Sequence, residues 1–262
     1  MEVHAHAHTS DPDSHRGRKK FTHYLWEFLM LFLAVYCGFL AENIREHSVE
    51  RHREKEYIAS LVNDLEFDTA QFNYHIDLLE KKIPFFDSVF LFLNNPDSFD
   101  NKLSVKYWIK ANSAIFYKPA EPTIQQLKSS GNLRLVRNKK ILDSILVYDS
   151  WIIGAYLDQV RLCVQFQNNI LQFSGKVFDY HNFNQLLNEN DPTKWDTNLG
   201  YSFILLSNSK EKIQEMYNQE VDFKVVCVFM NITLRQTRRK ATNLIAFIKK
   251  EYHLSEGTPL EK

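Results

Sequence analysis

IASLVNDLEFDTAQFNYHIDLLEKKIPFFDSVF, residues 58–90, carries two interleaved apolar series. Ile58, Leu65, Phe72, Leu79 and Phe86 recur every seven residues, and Val62, Thr69, Ile76, Ile83 and Phe90 repeat at the same interval four positions on. That spacing puts both series on one side of an α-helix, whereas a strand would alternate. Such a seam must be buried against another element. Its aromatics and its Thr suit a bundle core better than a regular two-stranded coiled coil. Pro84 has no N–H and crowds the preceding turn, which predicts a kink or a fresh helix start there.

Toward the N-terminus, ENIREHSVERHREKEY (42–57) pairs Glu42 with Arg45 and Glu50 with Arg53, each three apart. Those pairs face each other on a helix. Residues 42–93 therefore read as one long helix, first charged and solvated, then amphipathic. Before it, FTHYLWEFLMLFLAVYCGFLA (21–41) has no charge from Phe28 to Ala41. A bilayer core takes about 20 residues at roughly 1.5 Å each, so the span includes Tyr24–Glu27 or tilts very little. Tyr24 and Trp26 suit the interface. The run is long and bulky and lacks a small-x-small cleavage site, which favours an uncleaved anchor over a signal peptide. Residues 1–20 contain little to bury and read as a disordered polar tail.

Arg16, Arg18, Lys19 and Lys20 precede the span, and Arg45, Arg51, Arg53 and Lys55 follow it among many acids. The N-terminal cluster is the closer one and lacks acidic neighbours. The positive-inside rule then predicts a cytoplasmic N-terminus and a periplasmic C-terminal domain.

Beyond the seam, Asn94–Asp100 is a turn-rich break and Ser104–Ala111 a short helix candidate. Lys118–Pro122 is a second break, and Pro122 suits a helix start. Thr123–Ser130 ends at Gly131-Asn132, a left-handed cap. Asn138 caps the next helix. Ile141, Ile145, Tyr148, Ile152, Ala155, Leu162 and Phe166 then follow three-four spacing, with Gln159 the polar exception. One helix of about 35 residues is allowed, long against the usual ~10–14. Ser174–Tyr201 reads as irregular. The last helix is expected from near Ser209 to His253, with Phe223, Cys227, Met230, Leu234, Ala241, Leu244 and Ile248 inward. Val221–Met230 is β-branched enough to resemble a strand, but the helical period continues through it. Residues 94–262 thus complete an all-α bundle of three long helices with short connecting helices and a frayed tail.

The segments Tyr24-x-Trp26-Glu27-Phe28, Glu42-x-x-Arg45-Glu46-His47 and Arg53-Glu54-Lys55-x-Tyr57 lie between Lys19 and Asp64. Together they resemble the N-terminal signature of a family of uncharacterised single-span membrane-anchored proteins widespread in Bacteroidetes. Residues 127–136, LKSSGNLRLV, are similar to a recurring loop of related single-span families. The resemblance implies an inner-membrane protein with one span and a helical extramembrane domain. It brings no activity, cofactor or catalytic residue.

The seven Gly are too dispersed for a phosphate cradle, which removes the P-loop and the dinucleotide fingerprint. The 32 basic and 32 acidic side chains balance, so no nucleic-acid partner is expected. HExxH and Gly-x-Ser-x-Gly are absent. His75, His181 and His253 are scattered, and Asp179 with His181 is a loop pair of little weight. Neither catalytic residues nor a cofactor is predicted. His4, His6 and His8 could hold a divalent metal loosely, but no carboxylate or thiolate completes a site, and a solvated tail explains them. Glu27 in the apolar helix is a functional candidate by location. Its bland alternative is a headgroup-level acid beside His23. Cys163 and Cys227 either pair in an oxidising compartment or act as small buried hydrophobes, and Cys37 lies in the span. Arg235, Arg238, Arg239 and Lys240 form a basic cluster that is either a solvated face or a contact for phospholipid heads or an acidic partner.

The reading favoured by these features is an interaction or scaffold module, anchored in the bilayer through 21–41, with a protein partner or self-association. A sensor-like ligand-binding bundle is the alternative, and an enzyme is not expected.

Overall fold

A computed structural model describes residues 16–95, 101–179, 204–206 and 210–254. The described chain is essentially all-α. It divides into two compact units, Met1–Glu54 and Lys55–Lys262. Helix α1, Arg16–Lys82, is 67 residues long.

In the first unit, α1 carries an 18-residue window of mean hydropathy 1.8, none of it buried. This helix is long and apolar enough to cross a membrane. Phe28, Phe32 and Tyr36 stack at four-residue intervals along it, with ring centroids 6.4 and 6.1 Å apart. Glu42 and Arg45 pair as their spacing predicts, at 2.5 Å. His4, His6 and His8 lie outside the described residues.

The second unit begins in the same helix. Ile58, Leu65, Phe72, Leu79 and Phe86 are all buried. Of the companion series, Val62 and Ile76 are buried and Thr69, Ile83 and Phe90 half-buried. Pro84 acts as its chemistry requires: α1 ends at Lys82 and α2 starts at Phe85, running to Asn94. Helix α3 is Asn101–Asn112 and α4 is Pro122–Ser129, with Pro at its first turn. Gly131 follows with φ +68°, a conformation that favours a residue without Cβ. A 3-10 turn spans Asn132–Leu135. Asn138 then caps α5, Lys139–Trp151, its side-chain oxygen accepting from the Lys140 and Ile141 amides.

The expected long helix runs on through a π-turn, Ile152–Tyr156, into α6, Leu157–Ser174. A π-turn holds one residue more than an α-turn, so every later side chain is rotated by one position. The inward face passes from Ile141, Ile145, Tyr148 and Ile152 to Tyr156, Cys163, Gln167 and Ile170. Leu162, expected inside, is exposed instead, while Ala155 and Phe166 are half-buried. A two-residue antiparallel bridge, Phe178–Asp179 (β1) with Ile204–Leu205 (β2), is the one strand pairing among the described residues. Helix α7, Lys210–Tyr252, buries every inward residue expected of it.

Side-chain bonds give the directions. Glu66 meets Lys249 at 2.6 Å, Arg238 donates to Asn73 at 2.7 Å, and Lys224 meets Asp87 at 2.5 Å. Numbers rise on one side as they fall on the other, so α7 is antiparallel to α1 and α2. It is antiparallel to α5–α6 as well: Asn138 donates to Glu251 at 2.8 Å, Trp151 to Thr237 at 2.9 Å, and Gln159 to the Val226 carbonyl at 3.1 Å.

The connection 113–132 is strapped along α1. Lys82 donates to the Ser113 carbonyl at 2.7 Å, and the His75 ring lies 5.2 Å from that of Tyr117. The Asp68 carboxylate accepts from the Tyr117 hydroxyl at 2.5 Å and the Ala120 amide at 2.7 Å. Asp64 accepts from the Thr123 amide at 3.2 Å, and Asn132 donates to the Tyr57 hydroxyl at 3.0 Å. Residues 57, 64, 68, 75 and 82 follow three-four-multiple spacing, so this is a polar file on one side of the helix, beside the apolar seam.

Candidate functional site

Helix α7 carries Met216, Glu220, Phe223 and Cys227 on its buried face, spaced by four, three and four. A carboxyl group is thereby carried into the core. Helix α3 supplies Trp108 and Asn112, one turn apart, opposite it. The Glu220 carboxylate accepts from Trp108 Nε1 at 2.9 Å and from Asn112 Nδ2 at 3.0 Å, both through Oε1. Glu220 has 0% exposure. Burial pushes its acid up to about 7, with the two hydrogen bonds and the charge of Lys82 pulling the other way. Gln167 of α6 donates to the Asn112 carbonyl at 2.7 Å and completes the surround.

Lys82 ends α1 in phase with the seam, three residues after Leu79. Its ammonium lies 4.6 Å from the Phe223 ring centroid and donates to the Ser113 carbonyl at 2.7 Å. Burial lowers its pKa, opposed by Cys227, Cys163 and Glu220. Cys163 and Cys227 are both free and buried. Burial raises their thiols to about 12 and about 11. Protonated thiols are poor nucleophiles, which fits the reading of small core residues. Cys37 is exposed on the apolar helix.

The basic cluster splits by direction. Lys240 lies over the Trp151 ring, 4.6 Å from its centroid, toward α5. Arg235, Arg238 and Arg239 line an open hollow of about 620 Å³ between α1 and α7. Arg235 pairs with Glu80 and donates through Nε to Asn231 at 2.8 Å. Glu27 meets His23 at 3.2 Å, one turn apart, and both are exposed. No group of three or more His, Cys, Asp or Glu able to hold a metal exists among the described residues.

The buried ionisable residues were not among those singled out from sequence. A signal for them existed. Glu220 is in phase with the apolar series of α7, and Asp68 and Lys82 share the seven-residue phase of buried Leu61 and Val89, where an ionisable side chain must bring its own partners.

Comparison with protein-family models, curated proteins and solved structures finds no match.

Proposed function

We propose that the chain is a single-pass protein of a bacterial inner membrane, held through residues 21–41, whose anchor continues into an extramembrane bundle built on three long helices. That bundle is an interaction or scaffold module, binding another protein or a second copy of itself. The observation that carries the reading is the outer face of α7. Val225, Val228, Phe229 and Ile232 share one side of the helix, with 225/228 and 229/232 three apart and 225/229 and 228/232 four apart, and all are exposed. They stand opposite the buried face, so the helix has two apolar sides and its own fold covers one. A partner that covers such a side chain gains about 1.5–3 kcal/mol for each one fully buried. The absence of charge at these four positions favours a protein surface over a solvated one.

The test is site-specific photocross-linking of the full chain in native membranes, with the reactive group at position 229 and a control at exposed Lys118. A discrete heavier species from 229, absent from 118 and lost in Val228→Asp, is the expected result. Monomer alone at 229, or the same pattern at both positions, would overturn the reading.

A further inference from the structure

The hollow between α1 and α7 has a lining with one chemical character. Thr69 and Asn73 face Arg235, Arg238, Arg239 and Thr242 across a space of about 620 Å³, and the remaining lining residues are amides. Every group on the wall is neutral or positive. The nearby acids of α1 are engaged by cations: Glu80 by Arg235, Glu66 by Lys249 at 2.6 Å and Asp77 by Lys81 at 2.6 Å. Of the three guanidinium groups, Arg235 alone has a carboxylate. Arg238 donates to the neutral Asn73 side chain at 2.7 Å, which orients its fork without cancelling its charge. Arg239 has no acceptor among the described residues. In a chain whose charges sum to zero, about two positive charges are left uncompensated inside one hollow.

We infer that this hollow is an anion site that takes a phosphate-bearing ligand, in which Arg238 and Arg239 grip the phosphate and Thr69, Asn73 and Thr242 border it. A phosphate monoester carries a charge of about −1.5 to −2 at neutral pH, matching the excess. Its tetrahedral oxygens accept the paired N–H groups of a guanidinium fork. The volume exceeds that of the phosphate and leaves room for the group that bears it. A soluble phosphate and the phosphodiester of an anionic lipid headgroup both present non-bridging anionic oxygens to such a fork, the diester with a single negative charge. The inference is independent of the protein-partner reading, which concerns a different strip of α7.

The test uses the full chain in phosphatidylcholine nanodiscs, titrated calorimetrically with pyrophosphate. In a second arm the immobilised nanodiscs are exposed to phosphatidylglycerol vesicles. Saturable pyrophosphate binding, weakened at least tenfold in the Arg238→Gln/Arg239→Gln double variant and by added salt, is the expected result for a soluble source. Vesicle capture with the same dependence, and no pyrophosphate binding, assigns the headgroup. Both arginines lie on the outside of α7, so circular dichroism of the variant should match the parent and separate lost binding from lost fold. Binding of neither probe, or equal binding by parent and variant, overturns the site.

Discussion

Asn112 donates one amide hydrogen to Glu220 Oε1 at 3.0 Å, and neither the amide oxygen, Asn112 Oδ1, nor the second carboxyl oxygen, Glu220 Oε2, has a hydrogen-bond partner. Two acceptors stranded on one bonded pair share a single deficiency, a proton. A neutral Glu220 carries that proton, and burial raises its acid to about 7. The charged form leaves a buried acceptor unsatisfied, at about 1–3 kcal/mol or more.

This gives a pH dependence with a definite sign. The folded acid titrates near 7 against an ordinary value of 4.5, so between those values the native state holds a proton that the unfolded chain has lost. Stability from this group is fully present below about 4.5, falls as pH rises, and is gone above about 7, a change of roughly 3 kcal/mol. Glu220→Gln removes the titration and adds a donor on the stranded side. Denaturant melts from pH 5 to pH 8 should show a smaller loss in the variant than in the parent, with the variant the more stable at pH 8. Parallel curves would show that Glu220 does not titrate in this range.

The π-turn makes opposite forecasts for two leucine-class residues. Leu162→Asp places a charge on an exposed position and should shift stability by no more than about 0.5 kcal/mol. Ile170→Asp puts an unpaired charge where exposure is 0% and should cost several kcal/mol, as should Leu65→Asp and Ile145→Asp in the seams. Thermal unfolding by circular dichroism decides it. A destabilised Leu162→Asp would mean that the helix keeps its α-phase through 152–156.

Asp68 is 1% exposed and binds both the Tyr117 hydroxyl and the Ala120 amide. Asp68→Ala should lose about 2–4 kcal/mol, because it strands two donors along the strap. Tyr117→Phe alone should lose less, and the double variant less than the sum. A coupling of about 0.5–3 kcal/mol in the double-mutant cycle is expected. Strict additivity would remove the Asp68–Tyr117 bond as a source of stability.

The proposed topology is checked with one cysteine. Cys163 and Cys227 are buried, so replacing exposed Cys37 alone leaves a silent background. Asn94→Cys, at the start of the 94–100 break, should react with an impermeant maleimide in spheroplasts, and the chain should resist carbonate extraction. Labelling only after lysis would put the domain in the cytoplasm. Extraction into the soluble fraction would remove the anchor.

Local signals carried much of the architecture. Pro84 ends a helix, Gly131 turns left-handed and Asn138 caps, because each depends on the backbone chemistry of one residue. The seams were readable because a period survives any partner. The π-turn was not, since a one-residue insertion leaves no mark in composition and reveals itself only in which side of Cys163 faces in. The environment of Glu220 was hidden for a different reason. Trp108 and Asn112 lie more than a hundred positions away in the chain, and nothing local ties them to α7. The arginine cluster was visible as a cluster, but its division between the Trp151 ring and the α1 hollow follows from the helix packing alone.

The strap along α1 also implies an order of assembly. Lys82 and Ser113 are 31 positions apart, and the pairs that follow, Asp68 with Tyr117, Asp64 with Thr123 and Tyr57 with Asn132, are separated by 49, 59 and 75. The smallest loop closes first at the least entropy, and each later pair then adds only a short additional closure. Loop-closure entropy therefore favours zipping from the Lys82 end toward Tyr57. Distant contacts are converted into a succession of near ones, which lowers the barrier that high contact order would otherwise raise.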